Sequence, residues 1–262
     1  MRGLAGIVMM SAVGIAPARA DMPQRVSFCF NEWPPYSSAE AGEPVGLSVD
    51  ILREAARRSG ITPHFVALPW KRCLKEVETG AIDAVMDGAT RPEFVHGTIS
   101  FSVYTNTFWV REDDRSAQFD RSVLTGRRLG IVAGYVYGEA LDRLFAESGV
   151  VIDTAIDDAT LVRKLAFGRT DIIVADHVST RFLAAAGDLD IRPLHPPHSF
   201  DRLYPSFNRD RQASMRRIYE ALTAMCADRW IARAYRDHLG LEIAAIAGVD
   251  LCAAAAEQDG RS

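Results

Sequence analysis

Nowhere in this 262-residue chain do Lys and Arg gather into an extended run, and the formal net charge is −4. A nucleic-acid partner needs a basic footprint for its phosphates, so the composition argues against that class. No GxGxxG fingerprint and no GxSxG elbow occurs. Their absence removes a dinucleotide site and leaves nucleophilic hydrolysis without a carrier. Long apolar runs are missing too. The first, from Gly3 to Ala16, is too short to cross a bilayer, and the tail "LEIAAIAGVDLCAAAA" is broken by Glu242 and Asp250. Cysteine is scarce: Cys29, Cys73, Cys226 and Cys252 are the whole set.

What is present begins with a leader. "MRGLAGIVMMSAVGIAPARAD" has a basic start at Arg2, an apolar run and a small-x-small close at Ala18-Arg19-Ala20. Residues 1–20 are therefore expected to be a signal peptide. Loss of Arg2 and Arg19 takes the charge to −6, and the mature chain is expected to be soluble and exported. An even cysteine count in an oxidising compartment suggests two disulfides, with three connectivities open. Cys29–Cys73 and Cys226–Cys252 make the simplest topology; four buried thiols are the other reading.

Strands and helices alternate along the chain. "RVSFCF", "HFVAL" and "IDAVMDG" read as strands, separated by the helices "LSVDILREAARRSG" and "WKRCLKEVETG". The order recurs as "RLGIVAG", "YVYGEALDRLFAESG", "VVIDTAI", "DATLVRKLAFG" and "DIIVAD". Gly80 and Asp83 match Gly168 and Asp171, each 88 residues further on. Crossover helices of this length imply parallel sheets, so the fold class is α/β with two similar lobes. Two extended stretches, "ISFSVYTNTFWVRED" and "IRPLHPPHSFDRLYPSFNRD", would carry the chain out to the second lobe and back. Residues 21–107 with 202–262 are expected in lobe 1 and 108–201 in lobe 2. Two lobes on two connectors make a hinge and a cleft.

"WPPYS", "GLSVDILREAA", "LPW", "GAIDAV", "SFSVY", "GIVAGYVYG" and "GRTDIIVADH" stand in an order that resembles the periplasmic solute-binding proteins of family 3, the polar amino acid type. The likeness runs over about residues 24–240. It implies a type II periplasmic binding protein fold with two extended hinge strands. It also implies a small-molecule ligand delivered to an inner-membrane ABC permease, by a chain expected to be a monomer with no cofactor. A receptor is the alternative recipient, making the chain a ligand-delivery subunit for a sensor.

The resemblance also suggests site residues. Tyr36, after the double proline, and Trp70, before the second helix, match cleft aromatics. Pro34-Pro35 would fix the ring's presentation, although Tyr36, Trp70 and Trp33 could equally fill the core. Thr90 matches a hydroxyl contact. Gly134 and Tyr135 match a strand-to-helix turn whose free N–H groups would favour an anion, or else form an ordinary βα turn. Asp176 matches the acid that takes a substrate ammonium; its other reading is an N-cap for "HVSTRFLAAAG".

One departure is central. Amino-acid binders of this type carry an arginine carboxylate clamp shortly before the Phe-Ser pair, yet here that place holds Phe94 or Val95. Arg91, or Arg72, could substitute, or the ligand is no ordinary α-amino acid. A cyclohexadienyl dehydratase is the enzymatic alternative, with Glu93, Glu139 and Asp176 as candidate acids; the missing clamp weighs against it. His177, His195 and His198 read as parts of a stiff connector rather than a metal site.

Overall fold

The structure, a computed structural model, describes residues 24–242 and 248–253; the expected leader lies outside them. Chain order runs β1 (Gln24–Phe30), a hairpin of β2 (Ser38–Glu40) and β3 (Glu43–Val45), α1 (Leu47–Arg58), β4 (Ile61–Ala67), α2 (Trp70–Glu78) and β5 (Ala84–Gly88). Then come β6 (Phe94–Val95), β7 (Ser102–Arg111), β8 (Arg128–Val132), α3 (Glu139–Ser148), β9 (Val151–Ala155), α4 (Asp158–Ala166), β10 (Ile172–Asp176) and α5 (His177–Gly187). Last are β11 (Ile191–Asn208), α6 (Gln212–Ala227) and α7 (Trp230–Leu239).

Each lobe is built on three parallel strands, β4-β1-β5 in the first and β10-β8-β9 in the second. Both faces are covered, which explains why the strands read as unbroken apolar runs. Phe28 and Phe30 face the main core, whereas Cys29 between them packs with Trp70, Cys73 and Val77 of α2. Ile172 and Val174 likewise face one core, and Ile173 and Ala175 the other, with α4. The period of two along a strand sorts the residues between layers.

The recurrent Gly and Asp have one job in both lobes. Gly80 (φ 79°) and Gly168 (φ 68°) end helices in a left-handed conformation that glycine adopts without a steric penalty. Asp83 Oδ2 accepts from Ser27 N at 2.7 Å, and Asp171 Oδ2 accepts from Arg128 N at 2.8 Å. Each acid thus satisfies a backbone donor of a neighbouring strand, at the middle of β1 and at the start of β8.

The connectors, β7 and β11, pair with each other over most of their length, with a register shift between Leu194 and Ser199. This joins both lobes' strands into one nine-stranded ladder, β4-β1-β5-β11-β7-β10-β8-β9, with β6 beside β11. Two connectors lying side by side satisfy one another's backbone groups, and this pairing is what joins the lobes' strands. The helices α6 and α7 return to pack on α1. Cys29–Cys73 ties β1 to α2, and Cys226–Cys252 ties α6 to the tail, where Val249 and Leu251 are buried.

Candidate functional site

The "WPPYS" turn sets the floor of the site. Tyr36 N and Ser37 N both donate to Trp33 O, and Leu47 N and Ser48 N of α1 donate to the carbonyls of Pro35 and Tyr36. The turn therefore caps the first turn of α1 with backbone oxygens. Gly46 permits this: a Cβ there would lie 2.4 Å from Tyr36 O, and its φ is 119°. The prolines hold an aromatic pair, but Tyr36 is not the presented ring. Tyr36 is fully buried behind Trp33, stacked on it at 4.1 Å, and Trp33 lines the cleft.

That cleft lies between the lobes, with about 460 Å3 of empty space, part of it open to solvent. Its aromatic walls are Trp33, Trp70, Tyr104 and Tyr135. Tyr135 meets Trp70 and Tyr104 edge to face, at 5.9 and 5.6 Å between ring centres. Asn31, Asp87, Arg91 and Asp201 supply its polar groups.

Hydrogen bonds close the lobes over this space. Arg91 Nη2 (2.6 Å) and Trp70 Nε1 (3.2 Å) donate to Gly134 O. Asn31 Nδ2 donates to Tyr135 Oη at 2.9 Å, and that hydroxyl donates to Asp158 Oδ2 at 2.6 Å. Asp158, buried at the start of α4, also accepts from Tyr104 Oη at 3.3 Å; burial pushes its pKa up to about 6. Gly134 thus offers its carbonyl rather than an N–H. The N–H of Tyr135 is bonded to Val132 O, and α3 begins only at Glu139, after Gly138 turns the chain at φ 82°. The expected anion site at that turn is corrected on those grounds.

Asp176 is corrected as well. It is fully buried, with Oδ1 accepting from Thr105 N and Oδ2 from Ser179 N, both at 2.8 Å. It caps α5 and pins the connector β7, and it does not line the cleft. Burial outweighs these amide donors and raises its pKa to about 7. Thr90 is exposed, outside the cleft lining, and 3.1 Å from His96.

Asp87 is the acid that sequence reading passed over. It follows the buried part of β5, where a parallel sheet opens towards ligands, a position that could have singled it out. Its Oδ1 accepts from Ser48 (2.9 Å) and Ser102 (2.5 Å). Its Oδ2 is shielded from solvent and has no hydrogen-bond partner. Burial raises its pKa to about 6. Asp201, in the connector β11, accepts from Asn106 Nδ2 at 2.7 Å, and burial raises its pKa too. Among the described residues, no group of three or more His, Cys, Asp or Glu is placed to hold a metal ion.

A two-lobed α/β molecule closing on an aromatic cleft defines a binding-protein class. The family model of bacterial extracellular solute-binding proteins, family 3, matches residues 27–241, and the chain belongs to that family. A curated relative, the probable ABC transporter extracellular-binding protein YckB of Bacillus subtilis (strain 168), is 30% identical over 168 residues. That match covers 62% of this chain and 58% of the relative's length. Among solved structures, a histidine kinase sensor domain with similarity to periplasmic binding proteins aligns at TM-score 0.75 and 19% identity, over 85% of this chain and 99% of its own. An ancestral arginine-binding protein bound to arginine aligns at 0.74 and 16%, over 84% and 100%. These likenesses establish the type II periplasmic binding fold.

Proposed function

We propose that this chain is an exported binding protein that captures a small polar molecule between its lobes and hands it to an inner-membrane ABC permease. Residues 21–107 with 202–262 act as one lobe and 108–201 as the other. The observation that carries this reading is the cleft itself, whose lining joins four aromatic residues with Asp87, an acid whose Oδ2 lacks a partner. A buried polar atom left unpaired is costly, and a ligand that pairs it offsets that cost. Trp70 and Arg91 line the same space and join the lobes at Gly134. Family membership and two disulfides support export to the periplasm.

Binding is favoured over dehydratase chemistry by the placement of the candidate acids. Glu93 and Glu139 are exposed outside the cleft lining, and both oxygens of Asp176 are held by backbone amides. Delivery to a receptor is the second reading, favoured by the fold shared with a sensor domain. A thermal-shift screen of the mature chain against amines, amino acids and small carboxylates tests the proposal. A ligand should raise the melting temperature in a concentration-dependent way. A screen in which no small molecule does so would overturn it. Uptake of the hit by a deletion strain then separates transport from sensing: impaired uptake identifies the permease route.

A further inference from the structure

We infer that the ligand is a small organic cation without a carboxylate group, held through Asp87 and Asp201 against the aromatic walls. This rests on the cleft being the ligand site and concerns the chemistry of what enters it. Two acids and one arginine line the space. Arg91 forms no ion pair with either acid: its Nη2 is committed to Gly134 O across the lobe boundary. Asp87 Oδ1 already takes two hydroxyls, so the open valence is at Oδ2. Asn106 supplies only a neutral amide to Asp201.

A carboxylate buried without a counter-charge is the arrangement that a bound cation completes. The ring faces act in the same direction, because a cation over a Trp or Tyr face is attracted by its quadrupole. A ligand carboxylate would meet the opposite field. Two backbone donors are occupied: Tyr135 N is bonded to Val132 O, and Ser179 N at the start of α5 is bonded to Asp176. Two shielded donors remain without partners, Trp33 Nε1 and Arg91 Nε. Trp33 Nε1 suits a neutral hydroxyl or carbonyl, and Arg91, with Nη2 spent on Gly134 O, is outnumbered two to one by the acids of the lining.

Matched pairs that differ only by the carboxylate test the inference. Calorimetric titration at neutral pH would compare agmatine with arginine, cadaverine with lysine and histamine with histidine. In at least one pair the amine should bind about tenfold or more tightly than its parent amino acid. Asp87→Asn should weaken that amine by about tenfold or more, with far-ultraviolet dichroism and a urea melt confirming a folded variant. Should Asp87→Asn not fold, Asp201→Asn takes its place. Amino acids binding as tightly as the amines in every pair would overturn the inference, as would an amine indifferent to both substitutions. Binding of amino acids alone leaves the binding-protein reading standing and removes only the ligand class. If neither these probes nor any compound in the thermal-shift screen binds, both readings fall.

Discussion

At the scale of single residues, Asp87 sets a conflict between stability and binding. Its carboxylate is faced by the Ser48 and Ser102 hydroxyls, by the phenols of Tyr36 and Tyr235, and, around the cleft, by Arg91 and Asp201. Burial raises its pKa from 3.8 to about 6, so the folded protein takes up this proton more readily than the unfolded chain. Its contribution to stability is full below the unfolded value and is lost as pH rises through about 6. Asp87→Asn should therefore stabilise the ligand-free protein at pH above 7 by about 1–2 kcal/mol, a rise of several degrees in melting temperature. The gain should vanish near pH 4. Half-buried His177, with its pKa lowered to about 4, acts in the opposite direction but equally in both proteins. Scanning calorimetry across pH checks this, and a variant less stable at every pH would refute it. Ligand affinity should follow the reverse course, increasing as Asp87 ionises.

At the scale of elements, α5 shows how a site-like acid can be structural. Asp176→Ala removes the cap of an eleven-residue helix and strands the buried N–H of Thr105 in β7. The cap is worth about 1 kcal/mol and the orphaned donor about 1–3 kcal/mol, so a loss of roughly 2–4 kcal/mol is expected in urea unfolding. Ligand affinity of the protein that remains folded should change little. A stable variant with abolished binding would return Asp176 to the ligand. Sequence could not separate these roles, because an acid after an apolar strand and before a helix fits both. The deciding fact is that β7, seventy residues earlier, lends an N–H to the second carboxylate oxygen.

At the scale of the whole molecule, closure depends on a few polar contacts over a hydrogen-bonded hinge. Arg91 and Trp70 reach Gly134 O, and Asn31 reaches Tyr135. Each such bond contributes about 0.5–1.5 kcal/mol net. An Asn31→Ala/Arg91→Ala protein should thus shift its closed-to-open ratio by about tenfold or more towards open. Small-angle scattering of the ligand-free protein should then report a larger radius of gyration than wild type. An unchanged radius would show that the paired connectors, rather than these contacts, hold the lobes together.

The sequence by itself determined the main strands and helices, their α/β order and the internal repeat, but not the β2–β3 hairpin, β6 or the late start of α3. Apolar period, helix-ending glycines and strand-capping acids are local signals, and Gly80–Asp83 and Gly168–Asp171 carry them in both lobes. It also put Trp70 and Arg91 among the cleft residues. Only the tertiary structure decided which aromatic of "WPPY" lines the cleft, since stacking puts Tyr36 behind Trp33. It alone showed both oxygens of Asp176 held by backbone amides and one oxygen of the cleft residue Asp87 left without a partner. A carboxylate's role depends on which donors reach its oxygens, and those come from Ser48, Ser102, Thr105 and Ser179 on three separate elements, α1, β7 and α5. Local pattern fixes where an acid sits along a strand; long-range packing decides whether either oxygen is left for a ligand.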